Sequence, residues 1–354
     1  MGRRATAGTC LRTLVEMAIP HCREAERQCP RTGRGRPPTI PDWVLAVLIM
    51  VGVVKRKKSK SAQYRFLYEH RRDLRTWLGT RKFPARSTYF ERYRKAHRLF
   101  QKAIQLQGQQ AIQDGLADPT VVAVDKSLIA ALGPQWHKKD REAQRIPAGL
   151  SGVDPESTWG YSKHDGWVQG YSYEVVVSAT PDGTVWPLLA SVATASTSEH
   201  TTFGAKIPDV PAETVYVTAD SGYDNNAFGE AIEWTEEGKR TGRRFLCPEN
   251  PRGAKPGDEA AKIRDRTGRR RRQRRAFRDG RQGKRLYRRR GQTVEPFHEW
   301  FKALFELDSK VWHRGLANNQ TQLLAALFAY QVLLRYNHDQ GRINGQVRWI
   351  LDSL

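Results

Sequence analysis

The sequence predicts a mixed α/β protein preceded by an all-α N-terminal segment. Three observations carry this. The first hundred or so residues place apolar side chains at helical spacing; from Thr120 onward short β-branched runs begin; and those runs alternate with helical segments to the end of the chain.

The helical segment opens with Leu11, Leu14, Val15 and Ala18 on one face, continues through Ile40–Val54, and then through a stretch from Ser61 to Trp77. Thr88 and Glu91 have the spacing of a capping box and predict a long helix running to about Gln113, with Tyr89, Tyr93, Leu99, Ile104 and Ile112 for burial. Its polar faces carry Lys55–Lys58, Arg71, Arg72, Arg75, Arg81, Lys82, Arg92, Arg94, Lys95 and Arg98. Such a face suits phosphate contacts beside a helix-turn-helix-like reader, and equally a solvated basic surface with no sequence preference.

The strands come next. Thr120–Val124 leads into Asp125. Trp167–Ala179 and Thr184–Ala195 flank the turn signal Pro181-Asp182-Gly183 and predict a hairpin. Thr214–Thr218 leads towards Asp220, Asn225–Glu236 reads as a helix, and Arg243–Leu246 as a short strand. Lys262–Arg290 is too basic to form a core and is read as a phosphate-gripping helix or loop. Two apolar helices, Val294–Leu307 and about Asn318–Tyr336, complete the chain. The expected division is a helical domain at 1–117, an α/β domain at 118–340 with a basic insertion at about 250–290, and a tail at 341–354.

Composition narrows the function. With 354 residues and a net charge of +23, the chain would repel itself unless a polyanion neutralised it, and nucleic acid is the natural partner. The longest apolar run, Trp43–Val54, is too short to cross a bilayer and reads as a buried helix. Nothing in Met1–Thr32 has the pattern of a signal peptide, so an intracellular, cytoplasmic protein is expected. Cys10, Cys22, Cys29 and Cys247 lack the spacing of a zinc site or a disulfide framework; His21 beside Cys22 reads as a surface residue next to a buried thiol.

Three acids stand out by position: Asp125 and Asp220 after strands, and Glu295 at the start of a helix. Strand ends in α/β folds hold side chains rigidly at a crevice, and carboxylates are the hard oxygen ligands that Mg²⁺ or Mn²⁺ prefers. Three converging carboxylates imply two divalent ions and phosphoryl-transfer chemistry. A turn or helix cap explains any one such Asp taken alone.

The surrounding stretches resemble those of bacterial and archaeal insertion-sequence transposases. In that family an Asp follows a β-run, a second stands in Ala-Asp-x-Gly-Tyr-Asp, and a Glu lies in Tyr-x2-Arg-x3-Glu-x6-Lys. Here the second stretch is Ala219-Asp220-Ser221-Gly222-Tyr223-Asp224. The third runs from Tyr287 through Arg290 to Glu295 and Lys302, with four residues instead of three between Arg290 and Glu295; Arg288 and Arg289 stand close by. Asp154-Pro155-Glu156-Ser157-Thr158-Trp159-Gly160, then Lys163, Gly166 and Gly170-Tyr171, extend the likeness over most of residues 120–335.

The resemblance implies an RNase H-like mixed sheet flanked by helices, with the N-terminal helices binding the element's terminal inverted repeats. It makes Asp125, Asp220 and Glu295 the catalytic metal ligands for two Mg²⁺ or Mn²⁺ ions, and Tyr287, Arg290 and Lys302 DNA contacts. Arg269, Arg270, Arg271 and Arg272 are expected to grip phosphates, His200 to support the site from behind, and Asp224 to cap the following helix. The implied reaction is metal-dependent cleavage of double-stranded DNA at the element's ends and strand transfer into target DNA, by a homodimer. An inactive DNA-binding relative, a metal-dependent nuclease without strand transfer, and a basic RNA-associated protein are the alternatives.

Overall fold

The computed structural model describes residues 7–30, 38–179, 183–250, 266–342 and 345–354. Six helices come first: α1 (Ala7–Gln28), α2 (Asp42–Val54), α3 (Lys60–Glu69), α4 (Arg71–Leu78), α5 (Arg86–Tyr93) and α6 (His97–Gln113). β1 (Val121–Ala130), α7 (Lys138–Glu142), β2 (Thr158–Ser162), β3 (Gly166–Ala179), β4 (Val185–Thr194), α8 (Glu199–Gly204), β5 (Tyr216–Ala219), α9 (Asn226–Glu233) and β6 (Arg244–Leu246) follow. The chain closes with α10 (Arg266–Asp279), α11 (Arg281–Leu304), α12 (Leu316–Asp339) and α13 (Arg348–Asp352).

The strands form one mixed sheet in the order β2-β3-β1-β5-β6, with β4 on the same edge of β3 as β2. β1 is antiparallel to β3, and β3 to β2 and β4, whereas β1–β5 and β5–β6 are parallel. Antiparallel strands first, then parallel ones reached by helical crossovers, is an arrangement consistent with an RNase H-like fold. Gly170 stands where β1, β2 and β4 all meet β3, and a side chain there would collide with the carbonyl of Ile129. That close approach accounts for a glycine in the middle of a strand.

A single apolar core runs through the described residues and joins the first six helices to the sheet. α6 and α12 pack on β4, α2 packs on α1 and α12, and α11 lies across β1, β3 and β5. α2 buries Trp43–Val54 on all sides, as the sequence predicts. No helix among the described residues is long and apolar enough to cross a membrane.

Several elements differ from the sequence reading. The helix expected from Thr88 to Gln113 is two helices, joined by a tighter turn in which the Ala96 amide bonds the Tyr93 carbonyl (3.3 Å), a carbonyl that also accepts the Thr321 hydroxyl of α12 (2.7 Å). α5 begins two residues before Thr88, at Arg86, so the proposed capping box does not operate. The Ser61–Trp77 stretch divides at His70, with Ser59 capping α3 through the Ala62 amide (3.1 Å). Arg92 turns inward, bonding the Asp42 carboxylate and the Ile40 carbonyl (2.6 Å). β2 and α7 were not anticipated, and the Pro181-Asp182 part of the predicted turn lies outside the described residues, as does 251–265 of the basic insertion. The Trp167–Ala179 and Thr184–Ala195 runs do pair as an antiparallel hairpin, β3 with β4.

Candidate active site

Asp125 is not at a strand end. β1 continues five residues beyond it because Lys126–Ala130 keep pairing with β3. Its parallel partner β5 ends sooner, with Ala219 opposite Val124. Asp125, still within β1, and Asp220, the first residue after β5, therefore stand side by side at the point where the two parallel strands part. Each carboxylate is held on rigid backbone facing the opening between them.

Glu295 sits in the middle of α11, not at its start, because the basic stretch from Arg281 is itself helical and continuous with the apolar one. Pro296 is accommodated inside that helix. The packing of α11 on β1 and β5 carries Arg290 and His298 to Asp125, and Arg290 in turn pairs with Glu295 on the same helix.

The guanidinium of Arg290 links the group. Its Nη2 lies 2.9 Å from Asp125 Oδ2 and its Nη1 3.2 Å from Glu295 Oε1. Arg290 is 9% exposed at its side chain, while Glu295 is 63% exposed. Asp220 also feels this charge, and its Oδ1 accepts the Gly222 amide (2.8 Å). Tyr287, one helical turn before Arg290 and half-buried, has its hydroxyl pKa raised by burial.

The electrostatics of the two aspartates differ. Burial pushes the Asp125 carboxyl upward, but His298 and the Arg290 charge outweigh it and hold the pKa below the usual carboxylate range. At Asp220, burial and the nearby Asp125 charge prevail over Arg290 and raise the pKa. Two carboxylates this close repel one another, and a cation between them relieves the repulsion.

Among the described residues, no three side chains of His, Cys, Asp or Glu are grouped closely enough to hold a metal ion as they stand. The donor set nevertheless suits one: all three acids offer hard oxygens, and the carboxylates of Asp125 and Glu295 already share one cationic group, the Arg290 guanidinium.

Other expected residues lie further out. Lys302 is two helical turns beyond Glu295, and burial lowers its pKa against the pull of Asp165 and Asp308. His200 lies tilted against Phe228 (4.8 Å between ring centres) and contacts the Asn225 side chain (2.9 Å). Asn225, not Asp224, caps α9, through the Ala227 amide (2.7 Å). Asp224 instead accepts from Arg271 (2.9 Å) and from the Asn250 amide (2.9 Å), fastening its loop to α10.

The four arginines of α10 divide by environment. Arg269 and Arg272 are exposed. Arg270 stacks on Trp234 (3.7 Å) and pairs with Glu230, and Arg271 pairs with Asp224. Arg274, in the stretch expected to grip phosphates, is instead buried against Glu230 and Glu233. Near Asp224 a shallow surface cleft is lined by Arg271, Arg274, Arg275 and Arg278.

Three participants were missed from the sequence. His298 places Nε2 3.6 Å from Asp125 Oδ2 and contacts the Tyr173 hydroxyl through Nδ1 (2.8 Å); its signal was its position one turn after Glu295. The Cys247 thiol donates to the Asp220 carbonyl (2.9 Å). Glu174, fully buried, accepts from Lys206 Nζ (2.7 Å), Thr202 Oγ1 (2.7 Å) and the Tyr223 hydroxyl (3.0 Å).

The Asp154-Pro-Glu motif also has a physical role. Asp154 Oδ2 accepts from the Tyr171 hydroxyl (2.7 Å) and the Gly315 amide (3.0 Å), and Glu156 Oε2 from the Leu316 amide (2.8 Å), so two acids satisfy the N-terminus of α12.

No curated protein and no solved structure matches this chain. A family model described as the transposase DDE domain matches residues 116–332, the span that runs from β1 into α12 and includes all three acids, and the chain belongs to that family.

Proposed function

We propose that this protein is an insertion-sequence transposase that cleaves DNA at the ends of a mobile element and joins the freed 3′ ends to target DNA. The observation that supports this is one cationic group, the Arg290 guanidinium, paired with both Asp125 and Glu295 while its charge also acts on Asp220, which follows β5 beside Asp125.

In this reading the three acids hold two Mg²⁺ or Mn²⁺ ions, which supply activation of the attacking oxygen and charge neutralisation at the departing one. Asp125 and Asp220, fixed by their strands, keep the reacting phosphodiester in register. Glu295, exposed on α11, closes on it from the helix side. Tyr287, Arg290 and Lys302 line one stretch of α11 and contact the DNA end, while Arg269 to Arg272 face the flanking phosphates, Arg269 and Arg272 most directly. His200 supports the loop after Asp220 through Asn225. The N-terminal helices, residues 1–117, read the terminal inverted repeat, and two copies pair the two ends on prokaryotic chromosomal DNA in the cytoplasm.

The test uses the full chain, DNA carrying the element's end, and Mg²⁺. Asp125→Asn, Asp220→Asn and Glu295→Gln each abolish cleavage while retaining end binding; a triple variant that still cleaved would end the assignment. Binding without cleavage by the unaltered protein would identify a DNA-binding relative, and cleavage without joining a nuclease.

A further inference from the structure

The two buried cationic groups near the sheet's parting point are satisfied to different degrees. Lys206 Nζ bonds the Glu174 carboxylate (2.7 Å) and the Thr202 carbonyl (2.7 Å), both in the interior. Arg290 has one partly buried partner and one exposed one, and its Nε is buried with no hydrogen-bond partner among the described residues. A guanidinium has five donors, and leaving one unpaired in the interior carries a cost. His298 Nε2, 3.6 Å from Asp125, is likewise buried without a hydrogen bond. The lysine is built in; the arginine is held mainly by charge.

From this contrast we propose that Arg290 is an exchangeable counter-cation: it occupies the space between Asp125 and Glu295 in the metal-free protein and leaves when divalent metal binds. The inference rests on the reading of these acids as metal ligands. A guanidinium and a divalent ion cannot share the Asp125 oxygen without strong repulsion, so metal binding and the Arg290 bridge exclude one another. Apparent metal affinity is then reduced by the fraction of molecules in which the bridge is closed. Once released, the guanidinium is free to meet a DNA phosphate, which couples metal loading to DNA contact on the same helix.

The experiment titrates Mn²⁺ calorimetrically into the metal-free full chain, alongside thermal melts in EDTA and in saturating Mn²⁺. Removing the bridge in Arg290→Gln tightens Mn²⁺ binding by about tenfold or more. The same variant melts below the wild type in EDTA and regains its melting temperature with Mn²⁺. Wild-type or weaker Mn²⁺ affinity in Arg290→Gln overturns the proposal. Should that variant not fold in either condition, Arg290→Lys decides, because one ammonium cannot span both acids as the planar fork does: its Mn²⁺ binding tightens by about threefold, and an unchanged affinity overturns the idea. A variant carrying Asp125→Asn, Asp220→Asn and Glu295→Gln together is the control. If it binds Mn²⁺ as the wild type does, the metal-ligand reading itself falls, irrespective of Arg290.

Discussion

The Tyr223 hydroxyl donates to the Glu174 carboxylate across 3.0 Å in the interior, tying the loop that carries Asp220 to the middle of β3. Glu174 also holds Lys206 and Thr202, so one buried acid fastens β3, the segment after α8 and the Asp220 loop together. The tyrosine of the Ala-Asp-x-Gly-Tyr-Asp stretch is thus a strut for the aspartate three residues before it.

Removing either end of this strut has a graded cost. Tyr223→Phe loses one buried hydrogen bond and about 1 kcal/mol of stability. Glu174→Ala leaves Lys206 buried without its acid and costs about 3–5 kcal/mol. Urea unfolding of the two variants ranks them; equal losses would show that the ion pair carries no special weight.

The acids at the head of α12 give a second prediction. Glu156→Gln weakens the charge at the helix N-terminus and costs about 0.5–1 kcal/mol. Asp154→Asn costs about 1–3 kcal/mol, because its oxygen serves two interior donors and an amide nitrogen cannot accept. Thermal melts would refute this if the exposed-side Glu156 change proved the more damaging.

The arginines of α10 should separate into two classes. Arg269→Ala and Arg272→Ala, at exposed positions, each lower the salt slope of DNA binding by about one unit and leave the fold intact. Arg270→Ala and Arg274→Ala break pairs with Glu230 and chiefly destabilise the protein. Fluorescence anisotropy across a salt series, beside melting curves, distinguishes them. Identical behaviour of all four would contradict the environments described.

His313 provides a pH prediction. Burial, with a smaller contribution from the Lys60 charge, lowers its pKa from 6.5 to about 3. It lies 3.0 Å from the Tyr93 hydroxyl. Below about pH 6.5 the unfolded chain takes up a proton that the native imidazole refuses, so this group's stabilisation is complete above that pH and is lost as the pH falls towards 3. Between pH 6 and 4 the wild type should lose about 1.4 kcal/mol per pH unit more than His313→Gln. Denaturant unfolding at pH 7, 6, 5 and 4 measures the difference, and parallel pH profiles would remove His313 from the account.

Much of the candidate site was legible because its parts announce themselves locally. β-branched runs marked β1 and β5, and the acids that follow them stand out against apolar neighbours. Glu295 and Lys302 keep a spacing that a helix converts into a common face. The extension of β1 past Asp125 was hidden, since Lys126–Ala130 are held in a strand by pairing with β3 and not by their own β-branched content. The break after Tyr93 was equally hidden, because no glycine or proline marks it and the Thr321 hydroxyl that bonds the Tyr93 carbonyl there lies more than two hundred positions away. Glu174 looked like one polar residue in a β-run; only the fold supplies Lys206 and Tyr223 as its partners. Arg290 was expected to face DNA, and its neighbours Asp125 and Asp220 come from strands that no local pattern connects to α11.

α2 lies wholly inside the protein, α3 reaches α12 through Lys60 and Asn318 (3.0 Å), and α5 does so through Tyr93 and Thr321. A chain begun after α2 would strip the flank of α12 and expose it to water. Helices α1 to α6 are therefore packed into one body with the sheet and α12. On the function proposed above, the spacing between the grip on a DNA end and the place where it is cut is set once, during folding, and the molecule serves as a rigid ruler for its own cleavage position.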